Sequence, residues 1–406
     1  MAKGEDIVVG LDVGTTKICA IVAEVIDDKR IDIIGIGTHP SVGLKKGMVI
    51  NIESTVKSIK RAVEEAELMA GVDIGSIYTG IAGGHIKGFN SSGVVAVKDQ
   101  EVSQGDIDRV LDAAKAISIP DDQKILHVLP QEFVIDQQDG IKEPLGMSGV
   151  RLEVIVHIIT GAVTAAQNIE KSIQRGGLDM IEMILQPIAS SEAVLTPEEK
   201  ELGVAVVDIG GGTTDIATFV DGGVRHTAVI PIGGTHFTND IAIGLRTPRA
   251  DAEKIKIQYG CASVDLLDEN EVIEVPSVGG RPPRQLSRQL LSEIIEPRAE
   301  EIFSLVAQEL EKMGDQDRVA SGVVITGGTS SFKGMIEVAE RVLGLPVRLG
   351  VPTEVGGLVD VVNTPGFSTG VGLALYAFRS RKKKEVRRHG KQKMLQRMRN
   401  WVKGFF

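Results

Sequence analysis

A duplicated α/β fold, with two similar lobes around a nucleotide cleft, is the class this sequence predicts, and three observations predict it. Val8-Val9-Gly10-Leu11-Asp12-Val13-Gly14-Thr15-Thr16-Lys17 is an apolar strand that runs into an acid, a glycine and a hydroxyl pair, followed by a second apolar strand from Ile18 to Val25. Ala205-Val206-Val207-Asp208-Ile209-Gly210-Gly211-Gly212-Thr213-Thr214-Asp215 repeats that order 196 residues later, followed by Ile216 to Val220. Val319 to Thr326 reads as a buried strand, and Gly327-Gly328-Thr329-Ser330-Ser331 then leads into a helical pattern from Lys333 to Leu343.

The residue types in each hairpin define its chemistry. Glycine at a turn lets successive backbone N–H groups approach an anion closely. Thr15, Thr16, Thr213 and Thr214 add hydroxyl donors for phosphate oxygens. Asp12 and Asp208 would repel phosphate directly, so they suit a hydrated Mg²⁺, which keeps several waters and needs few protein carboxylates. A single hairpin of this kind also fits an ordinary β-turn, and a lone glycine pair fits a plain strand-to-helix loop. The order hairpin, hairpin, glycine turn is more specific, because Gly327, Gly328 and Thr329 end a strand where an α/β sheet lets a flat ligand lie on backbone.

The set resembles the phosphate 1, phosphate 2 and adenosine motifs of the superfamily of actin, heat-shock chaperones and sugar kinases. The intervening sequence resembles the FtsA family of bacterial cell-division proteins. Lys46-Gly47-Met48-Val49-Ile50-Asn51-Ile52-Glu53, Ala62 to Glu67, Ile294 to Glu301 and Phe367 to Ala374 carry this likeness across nearly the whole chain. It implies an actin-like (ribonuclease H-like) duplicated fold that binds ATP and Mg²⁺. By this likeness residues 1–83, 161–202 and 365–380 form subdomain 1A, and 84–160 form the inserted subdomain 1C. Residues 203–234 and 301–364 form 2A and 235–300 form 2B, followed by a basic linker over 381–390 and an amphipathic helix over 391–406.

The resemblance also assigns roles. Gln186, before Pro187, matches a position where an amide orients the water that attacks the γ-phosphate, although a helix N-terminal residue explains it equally. This leaves slow ATP hydrolysis open. Glu253 and Lys256 share a helical face and match residues that meet ribose and adenine; the plain alternative is an exposed ion pair. Arg281 and Arg284 form a basic cluster in the subdomain that the family uses to bind the C-terminal peptide of FtsZ, the alternative being a solvated loop before a helix near Leu286 to Glu296. The other implied partners are further copies of the chain in a filament, and other division proteins through subdomain 1C. Two other readings stay open: an actin-like pilus-assembly protein of the PilM type, and an ATP-dependent kinase or chaperone-type ATPase.

Composition sets limits. With 42% hydrophobic residues a chain of 406 has ample material for more than one core. Cys19 and Cys261 lack metal-ligand spacing, as do His85, His127, His157, His226 and His236, which are read as structural. No signal-peptide pattern opens the sequence and no apolar run approaches the roughly 20 residues of a membrane span, so the body is expected to be soluble and cytoplasmic. From Arg379 onward twelve Lys or Arg stand against Glu385, about +11, which leaves about −21 on residues 1–378. So acidic a body, with 3% aromatic residues, argues against nucleic acid.

On a helical wheel Met394, Leu395, Met398, Trp401, Val402, Phe405 and Phe406 fall within an arc of about 140°, opposite a face with Lys393, Arg397, Arg399 and Lys403. This is the composition of an interfacial helix on an anionic membrane surface, although such helices also dock on protein grooves. Half-burial of those side chains contributes roughly 5–10 kcal/mol. With the family likeness, it predicts a peripheral protein on the cytoplasmic face of the inner membrane at the division septum. Glu53 to Ala70 completes the reading as an amphipathic helix stopped by Gly71, with another from Gly105 to Ala116 and strands near Leu126 to Val128 and Leu152 to Ile159.

Overall fold

The structure is a computed structural model and describes residues 6–27, 29–268, 270–279, 281–313 and 319–382. The amphipathic stretch from Met394 to Phe406, and the linker from residue 383, lie outside the described residues.

Apolar runs build two sheets of like topology. In the first lobe Ile7–Val13, Lys17–Val25 and Ile31–Pro40 form an antiparallel meander. Ser76–Ile81 and Asp179–Leu185 extend it in parallel beyond Ile7–Val13, and the short Val355–Gly357 closes the other edge. In the second lobe Val204–Ile209, Thr214–Val220 and Gly223–Ile230 repeat the meander, and Val323–Thr326 and Val347–Leu349 repeat the parallel pair. The duplication seen in two hairpins therefore extends over five strands of each lobe. Val204–Ile209 and Thr214–Val220 are buried at every position, as expected of strands covered on both faces.

Helices cover these sheets. Ile52–Ala70 starts where the Asn51 side chain accepts the Ser54 amide and stops at Gly71 in the left-handed region (φ 68°), burying Ile59, Ala62, Val63 and Ala66. Gln186–Val194 carries buried residues all round and lies between the lobes, so it connects them rather than covering one. The helix over 368–382 packs on both Ile7–Val13 and this connecting helix at backbone contact: a Cβ on Gly372 would stand 1.8 Å from the Ala189 carbonyl oxygen, and one on Gly10 would stand 2.5 Å from that of Gly370.

Lys87–Ala96, Arg151–Ala162, Gln123–Ile135 and Gln138–Ile141 form a separate antiparallel sheet in that order. Gln104–Lys115, opened by a Ser103/Asp106 capping box, packs on it through Val110 and Ala114. This sheet touches the edge of the second lobe, where the His157 imidazole bonds Thr227 (2.9 Å) and the Gln131 amide donates to the Val224 carbonyl (2.9 Å).

Three elements differ from their sequence reading. The strand expected from Val319 begins at Val323, because a turn with Gly322 at φ 78° precedes it. The helix expected over Leu286 to Glu296 starts at Arg288, behind Ser287 as N-cap, and runs to Glu311 through Pro297. Part of the basic cluster read as loop is a strand, Arg284–Ser287, paired with Val272–Val275.

Candidate functional site

The two hairpin turns meet in a cleft of about 290 Å³ between the lobes. Each turn is closed the same way: the Gly14 amide donates to the Lys17 carbonyl (3.1 Å), and the Gly210 amide to that of Thr213 (2.9 Å). Their tips interlock, since a Cβ on Gly211 would stand 2.4 Å from the Thr16 side chain and one on Gly212 would stand 2.4 Å from the Thr15 hydroxyl. The glycines thus leave room for the opposite lobe as well as for an anion.

Three carboxylates converge behind the tips. Asp12 accepts from the Gln186 side-chain amide at 3.0 Å. Asp208 accepts from Ser190 (2.5 Å) and Thr369 (3.0 Å) on one oxygen. Asp215 accepts from Thr213 at 2.7 Å, and its other oxygen is buried without a partner. Burial pushes Asp12 up to about 7, with Asp208 adding to the rise and Lys17 opposing it. Burial pushes Asp215 up to about 8, and the neighbouring Asp208 and Asp12 act in the same direction. Asp208 is also raised by burial, against the hydrogen bonds from Ser190 and Thr369 and the charge of Lys17. Lys17 lies 4.1 Å over the Phe367 ring and donates to the Gly366 carbonyl (2.6 Å), so its charge is partly engaged.

This concentration of buried carboxyl groups, with one oxygen unpartnered, suits a hard divalent cation, which would favour their ionised forms. Among the described residues no group of three or more His, Cys, Asp or Glu side chains is set to ligate a metal by itself. The fit is therefore to Mg²⁺ that draws most of its ligands from water and phosphate.

Asp12, Gly14, Thr15, Thr16, Lys17, Gln186, Asp208, Gly210, Gly211, Gly212, Thr213, Glu253, Lys256, Gly327, Gly328 and Thr329 all line this cleft. Gly327 (φ 87°) passes so close to Asp208 that a Cβ would stand 2.3 Å from its carboxylate, while Gly328 has open space beside it. Glu253 and Lys256 pair at 2.7 Å, but Lys256 is 7% exposed and also donates to Thr238 (3.0 Å) and the Gly234 carbonyl (3.2 Å). The pair is thus built into the fold rather than free on the surface.

Thr214 is the exception. The repeat aligns Thr15 and Thr16 with Gly211 and Gly212, not with Thr213 and Thr214, so Thr214 already belongs to the strand opposite Ile209. It is fully buried and donates to the Ile232 carbonyl. Asp215, Gly234, Pro365, Gly366 and Thr369 line the cleft without having been singled out. Strand alternation could have found Asp215, two residues beyond Thr213 on the same face. Thr369 had no such signal.

Arg281 and Arg284 lie outside the cleft. Arg281 is exposed, and Arg284 donates to the Leu245 carbonyl, which ties its hairpin to the helix Gly234–Gly244. His127 accepts the Leu185 amide (3.0 Å) and burial lowers it to about 4. His157 is likewise lowered to about 4 by burial.

The family model described as "Cell division protein FtsA" matches residues 205–372, and that of the "SHS2 domain inserted in FTSA" matches 83–160. The FtsA of Pseudomonas aeruginosa is 55% identical, with 98% of each chain covered. That of Escherichia coli K12 is 46% identical over 93% of this chain and 92% of its own. Among solved structures, a PilM-PilN type IV pilus biogenesis complex aligns with TM-score 0.66 at 18% identity, covering 91% of this chain and 98% of that one. MreB 5 of Spiroplasma citri bound to AMPPNP aligns with TM-score 0.58 at 14% identity, covering 95% and 100%. At such identities the structural likeness speaks for the fold alone, whereas the near full-length sequence identity decides against the PilM, kinase and chaperone readings. The chain belongs to the FtsA family of cell division proteins and has its actin-like fold.

Proposed function

We propose that this chain binds ATP with Mg²⁺ in the cleft between its lobes, polymerises on the cytoplasmic face of the inner membrane, and tethers the FtsZ ring there through residues 391–406. The observation that carries the nucleotide reading is the meeting of two glycine-hydroxyl turns over three buried carboxylates and one lysine. In that reading the backbone N–H groups of both turns, with Thr15, Thr16 and Thr213, hold phosphate oxygens. Asp12 and Asp208 hold Mg²⁺ through its waters, and the metal when bound neutralises phosphate charge. Gln186 and the unpartnered oxygen of Asp215 are the polar groups available to orient a water near the terminal phosphate. Glu253 and Lys256 flank the nucleoside end, beside the open space at Gly328.

The membrane step is assigned to the face from Met394 to Phe406, supported by its composition and by the basic linker before it. Arg281 remains a candidate contact for the FtsZ C-terminal peptide. Arg284 is a weaker one, because its guanidinium is used within the fold. Subdomain 1C is the proposed surface for other division proteins.

Electron microscopy on an anionic lipid monolayer tests the proposal. Filaments that need both Mg²⁺ and ATP, are lost with Asp208→Asn and are absent after deletion of 391–406 are the expected result. Filaments unaffected by Asp208→Asn would overturn the nucleotide assignment, and retained lipid binding after the deletion would overturn the tether.

A further inference from the structure

A second cavity, of about 790 Å³, lies at the foot of the first lobe, where the described chain ends. Its floor is apolar, with Val9, Val72 and Ile74, and Leu68 stands beside it 86% exposed. Its rim carries Glu64, Glu67 and Asp73, and Glu67 also accepts the Ile74 amide (2.7 Å), which fixes the loop beyond Gly71. Arg381, one residue before the last described position, lines the same cavity. An acidic rim over an apolar floor is the complement of a helix that is basic on one face and carries Met, Trp and Phe on the other. It is a poor surface for an anionic leaflet.

We infer that residues 391–406 of the same chain dock in this groove when no membrane is present, so that the lobe holds its own membrane helix in reserve. The inference rests on the proposed reading of these residues as an amphipathic helix. The eight residues 383–390 can span up to ~26–29 Å, so the groove beside Arg381 is within reach. A tether this short gives an effective concentration on the order of millimolar, which favours this docking over docking on another copy. One apolar face cannot lie in the groove and in lipid together. Docking therefore shields Trp401 and Phe405 from water away from the membrane and lowers apparent lipid affinity by the undocked fraction.

Trp401 is the only tryptophan in the chain, so its fluorescence reads the tail directly. In the full-length protein without lipid, Trp401 emission should be blue-shifted and less quenched by acrylamide than in a 391–406 peptide, at every protein concentration. Leu68→Glu, and separately Glu64→Lys with Asp73→Lys, change exposed positions and should return quenching to the peptide value. They should also raise affinity for phosphatidylglycerol vesicles about three- to tenfold. Peptide-like quenching in the unaltered protein, shielding that grows with protein concentration, or shielding indifferent to both variants would each overturn the inference. The lipid-free readout fails independently of the membrane tether, which vesicle sedimentation of the unaltered protein tests alone.

Discussion

Asp215 shows how far one buried carboxylate can set the behaviour of this cleft. Its free oxygen has no donor, and its neighbours Asp12 and Asp208 carry the same charge. Folding therefore favours the protonated forms of Asp12 and Asp215 over the unfolded chain, whose carboxyls titrate at their ordinary 3.8. The stability this supplies is present at low pH and is lost as pH rises through about 7 for Asp12 and about 8 for Asp215. Each unit of such a shift is worth about 1.4 kcal/mol. The nucleotide-free protein should accordingly lose thermal stability between pH 5 and pH 8. Asp215→Asn should remove much of that slope, and Mg²⁺ with ATP should oppose it. Scanning calorimetry across this range checks the prediction, and an unchanged slope in Asp215→Asn would show that Asp215 is charged in the folded state. Asp215 does not stand out in the sequence, because an isolated acid on a strand says nothing of how many carboxyl groups are buried around it. Thr214 failed for the opposite reason: reading a hydroxyl pair as a unit hid the two-residue offset between the repeats.

Among the elements, the connecting helix and the helix over 368–382 do most to join the site to the body. Gln186 and Ser190, four residues apart on one helical face, reach Asp12 and Asp208 respectively, so one short helix touches a carboxylate from each lobe. Thr369, at the start of the other helix, bonds both Asp208 and Ser190. At that helix's far end Arg379 pairs with Glu192 of the connecting helix, and Arg381 lines the foot cavity. This crossing depends on Gly372, whose added Cβ would stand 1.8 Å from the Ala189 carbonyl. Gly372→Ala should destabilise the protein by about 1–3 kcal/mol in urea unfolding, the range for overpacking a dense contact. It should also weaken Mg²⁺ and ATP binding, because the helices cannot separate without moving Thr369 and Ser190. Loss of stability with nucleotide affinity intact would mean that the helices do not position the carboxylates. The elements themselves were largely legible. The helix read from Glu53 announces its stop through Gly71, though not its start at the Asn51 cap, and the two hairpins show through apolar runs around glycine. The crossing was not, since nothing local in Phe367 to Ala374 says which backbone a glycine will meet.

In the whole molecule the lobes meet around the connecting helix Gln186–Val194, at the hairpin tips, and at the joint between the inserted sheet and Gly223–Ile230. Closure at the tips brings Gly211 and Gly212 against Thr16 and Thr15, with no room for a methyl group on either glycine. Gly211→Ala should hold the lobes slightly apart while leaving each folded, because the atoms nearest its Cβ are those of Thr16 in the opposite lobe. The expected outcome is a thermal midpoint close to that of the unaltered protein, with ATP affinity reduced about tenfold or more, as for a ligand that must close a cleft whose closed state has become rare. Thr16→Gly added to Gly211→Ala removes the clash and should restore closure as read by hydrogen exchange, while the lost Thr16 hydroxyl keeps ATP affinity below that of the unaltered protein. Interlobe closure should also be felt at the joint, where His157 bonds Thr227 and Gln131 bonds the Val224 carbonyl. Hydrogen exchange along Gly223–Ile230 and Lys87–Ala96 should therefore slow when Mg²⁺ and ATP bind, and should slow less in Gly211→Ala. Protection confined to the cleft, or a double variant no better than the single one, would mean that the tips do not govern closure. If both effects appear, a clamp on one nucleotide also sets the angle between the inserted sheet and the second lobe, and in the proposed filament nucleotide occupancy would select the shape that one copy presents to the next.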